Sequence, residues 1–467
     1  MMRSLARYHA IKLGVCLVGA AIACTDDPPT APAAPTVAFA NASGGPSPKV
    51  SSTDPSSGPR SSTLFVRVLG SGFTQGTRAI WALKGDTTYA VTKVKTNSTS
   101  FVSSGELVAN ITIQSDASLS LYDVVALTTD GKKGIGIECF TVTIMAITDL
   151  GTLGGTESDT YSLNTPSAGN RLLIVGKSQD KAGTEHAAYW YVDLATGARQ
   201  AGALPAPTGD VRSWAAGVNQ SGAIVGASAA TVGGNSVPVL WASGSWSPTF
   251  LNMNGGTYGS TTRINGAGQI LGQIGGLSVA YVALWEGTTL TALDGFGGNN
   301  SQAFGMSSAG VVVGMSRYPG GGPGSDRAFI WTTPGPMIQL PDAGYTSSWA
   351  LAINDAGVIV GSVWSSITGN RAVRWLPPAT VGGVYTMEEF GLVNSRAWDI
   401  NNAGEIVGQY QTGSYIHAFY WINGRTKDLP DLVHNSGARA INENGEVVGW
   451  SRLPNNYLHA VLWTHVR

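Results

Sequence analysis

The sequence predicts an all-β chain, an immunoglobulin-like sandwich followed by a seven-bladed β-propeller closed by its own N-terminal strand. Three observations predict it. Only 12% of the 467 residues are charged while 62 are glycine, so long ion-paired helices give way to many tight turns. Two markers recur seven times each from residue 146 onward, with spacings of 41 to 51 residues, a period typical of propeller blades. One strand-like segment is left over before the first repeat, and the last repeat lacks its fourth strand.

The N-terminus is an address. Arg3, Arg7 and Lys12 precede an apolar run, Leu13 to Ala23, that is too short to span a bilayer. It ends Ala21-Ile22-Ala23-Cys24, which resembles a bacterial lipoprotein lipobox with Ala in place of the usual Leu. The resemblance implies cleavage after residue 23 and lipid attachment at Cys24. Thr25, rather than Asp, implies the outer membrane. If the lipobox is not used, the chain is secreted. Cleavage removes three cations and moves the formal net charge from −1 to −4. With no basic block, nucleic acid is not an expected partner. Residues 24–49, rich in Pro, Ala, Ser and Thr, read as a disordered tether. The mature chain is expected to be a monomer.

Residues 50–145 contain short β-rich runs at Leu64–Leu69, Tyr89–Val91, Leu107–Ile113 and Tyr122–Leu127. A run from Ile135 to Phe140 alternates so as to put Ile135, Ile137 and Cys139 on one face, with Cys139 a buried, inert thiol. Asp54-Pro55-Ser56-Ser57-Gly58-Pro59, Gly70-Ser71-Gly72-Phe73 and Leu127-Thr128-Thr129-Asp130-Gly131 resemble the IPT/TIG family of immunoglobulin-like domains. That resemblance implies a spacer or protein-contact module.

Residues 146–467 are the repeat. The first marker is an apolar pair before Gly176, Gly226, Gly272, Gly314, Gly361, Gly408 and Gly449. The second is Trp190, Trp241, Trp285, Trp331, Trp375, Trp421 and Trp463. Each unit reads as four strands. Strands 1 and 2 are joined by Asn-x-x-Gly, as in Asn354 to Gly357, which suits a type I turn. The segment Ile147–Gly155 matches a fourth strand and can complete the last blade, removing exposed sheet edges. His417-Ala418-Phe419 and Asp149-Leu150-Gly151-Thr152-Leu153-Gly154-Gly155 resemble the HAF family of extracellular repeats. The resemblance implies export and repetition but no activity.

Chemistry is sparse. His186, His417 and His459 share one repeat position, where the other blades carry Val237, Tyr281, Arg327 and Arg371. Strands spaced about 4.8 Å apart put such third-strand positions about 14 Å from one another, far beyond the reach of a shared zinc. Backbone-bonded structural histidines are therefore expected, with no metal and no cofactor. No nucleophile elbow, phosphate loop or HExxH motif is present, so no catalytic residue is assigned. Recurrent Trp and small residues (Ala187, Ala328, Ala372, Ala418 and Ala460) read as interblade core. The loops joining strands 2–3 and 4–1 share a rim carrying Tyr161, Trp214, Tyr258, Tyr345 and Asn300. The same rim holds the preferred ligand-binding candidates Tyr318, Trp364, Tyr410, Tyr415, Trp450, Tyr457, Arg317 and Arg452. Aromatics beside polar groups suit a glycan or a protein ligand. The function expected is an envelope binding module. The alternatives are a polysaccharide-acting glycosidase or lyase and a purely structural spacer.

Overall fold

The computed structural model describes residues 47–465 except 55–56, 61, 87, 89–92, 115–116, 119, 144, 167–169, 277–278, 323, 381 and 423. Cys24, most of the expected tether and the strand expected at Tyr89–Val91 lie outside the described residues. The described residues are all β and contain no helix. They divide into two compact units, one of the described residues up to Ala146 and the other Ile147–Thr464.

The first unit holds two four-stranded sheets around one core. One sheet orders Lys49–Asp54, Ser62–Ser71, Glu106–Ile113 and Val94–Ser103; the other orders Ser57–Pro59, Lys133–Thr143, Leu121–Leu127 and Arg78–Leu83. Period-2 alternation buries Leu107, Ala109, Ile111 and Ile113 against Trp81, Tyr122, Val124 and Phe140 of the facing sheet. Lys49, the last residue of the stretch read as tether, pairs with Ser71.

Two expectations about Cys139 are corrected. The register slips between Tyr122 and Val124 on the partner strand, and Glu138 takes φ 55°. The Asp123 carboxylate accepts the Glu138 backbone N–H at 2.9 Å. This bulge breaks the alternation, so Cys139 and Phe140 are both buried while Ile135 and Ile137 are half-exposed. Cys139 is also disulfide-bonded rather than a free thiol. The chain's other cysteines, Cys16 and Cys24, lie outside the described residues.

The second unit forms, among the described residues, seven four-stranded antiparallel sheets. The first six run in chain order. The seventh takes Ser436–Ile441, Val447–Arg452 and Leu458–His465 from the C-terminus and Met145–Asp149 from before the first repeat. The seventh sheet packs on the first: Leu163, Ile174 and Trp190 share a core with Val448, Ala460 and Leu462.

Three recurrent residues join successive sheets. The turn Asn accepts its own turn's N–H through Oδ1, as Asn354 does from Val358 at 2.9 Å. Its Nδ2 then donates to the next sheet's turn carbonyl: Asn219 to Asn265, Asn354 to Asn401, Asn401 to Asn442, and Asn442 to Asn164, at 2.9–3.1 Å. A serine six residues before that turn position accepts the N–H of the recurrent alanine in the preceding sheet. The pairs are Ser213 with Ala187, Ser348 with Ala328, Ser395 with Ala372, Ser436 with Ala418 and Ser158 with Ala460. The indole N–H groups of Trp241, Trp285, Trp375 and Trp463 donate at 2.7 Å to carbonyls of Pro205, Asn252, Pro341 and Pro430.

The glycine after the apolar pair has a steric cause. A Cβ built on Gly176, Gly226, Gly272, Gly314, Gly361, Gly408 or Gly449 would lie 1.9–2.1 Å from a carbonyl oxygen of the sheet's first strand. Gly361→Ala is therefore expected to destabilise the second unit by about 3 kcal/mol or more. Gly266→Ala, where a Cβ meets open space, is expected to stay within about 0.5 kcal/mol of the parent. Thermal and denaturant unfolding followed by circular dichroism checks both; equal melting of the two variants would refute the steric assignment.

Candidate functional site

The close approach at that glycine is also what builds the site. In all seven sheets the pairing of strands 1 and 2 slips by one residue at this point. The extra residue lies three before the turn Asn (Ser307 in the fourth sheet). These residues are Tyr161, Ala216, Thr262, Phe304, Leu351, Trp398 and Arg439, and with Arg263 they line a single cavity of about 220 Å³. A bulge re-aims one side chain out of the alternating pattern; seven bulges aim seven side chains at one space. The flanking position one residue earlier stays small and buried, as at Ala350 and Ala438.

A second cavity of about 390 Å³ is lined by the turn ends of the same seven first strands, including Asn265, Ser307, Asn354, Asp355, Asn402 and Glu443. Arg263 borders both cavities. Its guanidinium reaches from the third sheet to Asp399 of the sixth at 3.1 Å and donates to the Phe304 carbonyl at 3.3 Å. The other Asp399 oxygen accepts the Ile441 N–H at 3.0 Å. Burial pushes the Asp399 carboxyl up, and Arg263 holds it back down.

Cations and aromatics gather on the other side of the small cavity. Two residues before each bulge stand Asp159, Trp214, Ser260, Gln302, Trp349, Arg396 and Gly437. Arg396 is half-buried, with its guanidinium 5.5 Å from the Trp349 ring centre and 5.7 Å from that of Trp398. Arg439 lies 5.3 Å from Trp398 and 5.9 Å from Tyr161, and donates to Asp159 at 3.4 Å. Asp159, Tyr161 and Arg439, with Glu157, Lys177 and Glu185, line an adjoining cavity of about 270 Å³. There Glu185 binds Lys177 on one side and Arg212, at 2.9 Å, on the other. Burial pushes the Asp159 carboxyl up against the pull of Arg439 and Lys177, and pushes the Tyr161 phenol up as well. Three donors here are buried without an acceptor among the described residues: the Trp398 indole N–H, Arg439 Nε and Arg212 Nε.

The rim candidates do not converge on this mouth. Tyr318 and Tyr457 are 45% and 41% exposed, and Tyr318 stacks on Phe296 at 4.8 Å. Trp364 and Tyr415 are half-buried, the latter 5.4 Å from the His434 ring. Tyr410 donates to Asp428 at 3.0 Å. Trp450 is only 6% exposed. Arg317 is held by Asp326 at 2.6 and 2.9 Å, and Arg452 by the Asn456 carbonyl at 2.5 Å. Tyr161 and Trp214, read from sequence as loop residues, belong to first strands and lie at the mouth region. His186 and His459 bond carboxylates of Asp180 and Asp149 at 3.0 Å rather than backbone. His417 Nε2 is buried without a partner. The signal that marks Trp398, Arg439 and their equivalents is a position, three before the turn Asn, where an otherwise regular repeat varies from Ala to Trp to Arg.

A family described as a protein of unknown function (DUF3466) matches residues 298–418. No curated protein is similar in sequence. Among solved structures, a Trypanosoma rangeli sialidase is 10% identical with a TM-score of 0.38 over 67% of this chain and 54% of its own. The chain thus spans about half the length of that sialidase. An auxiliary nutrient binding protein from Bacteroides thetaiotaomicron is 12% identical with a TM-score of 0.34, covering 90% of this chain and 98% of its own.

Two charge predictions follow from this geometry. Arg263→Met strands Asp399 in the interior and is expected to destabilise by about 3 kcal/mol near neutral pH. The loss shrinks in acid as Asp399 takes a proton, and Arg263→Met/Asp399→Leu recovers part of it; a loss that does not change with pH would contradict the pairing. The second concerns Asp431. Burial, and then Asp428, push its carboxyl up to about 6. The folded chain therefore retains a proton that the unfolded chain has already released, and stability from this group falls as pH rises from the ordinary carboxyl value through about 6. Asp431→Asn is expected to raise stability by about 1–2 kcal/mol above pH 7 and by nothing near pH 4, as read from melting curves at the two pH values.

Proposed function

We propose that the second unit is a closed seven-bladed propeller serving as a binding module, with its ligand held at the mouth framed by Tyr161, Trp349, Arg396, Trp398 and Arg439. The supporting observation is the small cavity lined by one bulged residue from every sheet. A regular scaffold that delivers seven different side chains to one point suits recognition. Cavities of 300–1,000 Å³ hold drug-sized molecules; one of about 220 Å³ fits a smaller unit, such as the terminal ring of a glycan. Phe304, Leu351 and Tyr161 offer apolar faces, and the orphaned donors offer hydrogen bonds.

On this reading the first unit is an IPT/TIG-like spacer, the repeats are of HAF type, and the chain is exported, with lipid carried on Cys24 where that thiol is not the disulfide partner of Cys139. Mass spectrometry of the mature protein tests the anchor, since acylated Cys24 and Cys24 in a disulfide differ in mass. Glycoside cleavage is the second reading. Asp159, whose burial favours its protonated form, and Glu185, held between two cations, line one cavity, and carboxyls in opposed environments suit an acid and a base. A bound glycan that is turned over, and no longer turned over by Asp159→Asn, would establish it.

The test of binding is a glycan array with the mature protein, followed by calorimetry on the hits. Trp398→Ala and Trp349→Ala are expected to weaken binding at least tenfold, while Trp364→Ala and Trp450→Ala leave it within twofold. The reverse pattern would return the site to the outer rim.

A further inference from the structure

Resting on that reading, we propose that Arg396, Arg439 and the Trp398 indole N–H form an anion-recognition subsite that makes the mouth selective for carboxylated saccharides, with a uronic acid at the chain end as the ligand unit.

The first strands of the sixth and seventh sheets place two guanidinium groups against one indole, at 5.7 and 5.3 Å from its centre. Both cations lie against the same ring, and only one of them meets a carboxylate, Asp159 at 3.4 Å from Arg439. No ion pair or side-chain hydrogen bond engages the Arg396 guanidinium among the described residues, so its five N–H donors lack a protein acceptor. Arg439 Nε and Trp398 Nε1 are buried and equally without one. Of the other cations nearby, Lys177 and Arg212 share the single carboxylate of Glu185, with Arg212 Nε left without an acceptor, and Arg263 pairs with Asp399. The mouth thus carries more cationic charge than its paired carboxylates balance, together with a set of unaccepted donors, and what complements it is a ligand that only accepts.

The chemistry of the donors selects among anions. A planar guanidinium matches a carboxylate with two parallel N–H···O bonds, which a point cation cannot do. The cavity takes one ring rather than a chain, and its wall adds the apolar faces of Phe304, Leu351 and Tyr161. A carboxylate carried on a pyranose satisfies both halves. Partial burial, which pulls the Arg396 pKa down, signals a cation taken out of water with no partner in the protein, a cost that ligand binding relieves.

Calorimetry of the full mature chain with glucuronate- and galacturonate-terminated oligosaccharides, their methyl esters and sulfated analogues tests this. The acid is expected to bind at least thirtyfold more tightly than its methyl ester, with affinity falling as salt rises. Arg396→Gln should abolish that preference, bringing acid and ester to equal affinity; Arg396→Lys should retain only part of it; Arg425→Gln, on the exposed end of the sixth sheet, should change nothing. Equal binding of acid and ester by the parent protein overturns the proposal, and needs no variant to fold. Tighter binding of sulfated sugar than uronate, or of an acidic peptide than either, overturns the choice of ligand. If neutral sugars bind and Trp398→Ala removes them without any preference for acid, the mouth reading survives and this inference falls. If no saccharide binds at all, both fall.

Discussion

The amide of the turn asparagine is the interaction on which the second unit depends. It works in two directions at once. Oδ1 holds the turn of its own sheet, and Nδ2 reaches the turn carbonyl of the next, until Asn442 meets Asn164 across 278 residues of chain. A single hydrogen bond of this kind contributes only about 0.5–1.5 kcal/mol net. Its importance lies in burial: each amide sits where water does not replace a lost partner, so the unmade bond is the expensive state. The serine-to-alanine bonds repeat the same logic one strand further out. With few charges available, the sheets are joined by neutral polar groups, which lose little to desolvation when the junction between sheets is dry.

Holding the first strands at one spacing has a consequence for the site. The strand-2 glycine lets the strand-1 carbonyl approach to a distance that no Cβ tolerates. The approach is accommodated by a one-residue slip, and the slip turns one side chain toward the space that all seven strands surround. The residues that create the slip are therefore bound to repeat, while the residue it displaces is freed from the packing. Regularity in the scaffold and variety at the mouth have a common origin.

This coupling explains what could and could not be read from the sequence. The period, the Asn-x-x-Gly turn and the spare strand at Asp149 were all legible, because each depends on local spacing alone. The five glycines that end those turns take φ from 77° to 83°, as the turn reading requires. The mouth was not legible through alternation, since a bulge shifts the phase by one residue and assigns Trp398 and Arg439 to the wrong face. The same failure moved Cys139 off the face expected for it. Aromatic content drew attention to the rim, yet Trp450 is buried against its neighbours, and Arg317 is already engaged by Asp326. Composition cannot separate an aromatic that packs from one that waits for a ligand. Variation at one fixed position of a repeat can, because packing positions in identical surroundings converge on similar residues.

The distribution of charge carries the same distinction further. In a chain with 12% charged residues, a half-buried guanidinium is conspicuous, and its surroundings tell what it is for. Arg263 crosses between the third and sixth sheets to a carboxylate that also accepts a backbone N–H, so both charges are answered inside the protein and the pair ties opposite strands together. Arg396 occupies a comparable depth with two indole faces and no anion. Aromatic faces stabilise a cation by about 0.5–2 kcal/mol, which is less than the penalty of drawing it partly out of water. A structural role would be served better by leucine or glutamine at that position, with nothing left unsatisfied. On the proposal made above, an acceptor entering the mouth removes the remaining deficit, and Arg396 is then the residue through which the scaffold's regularity becomes selectivity.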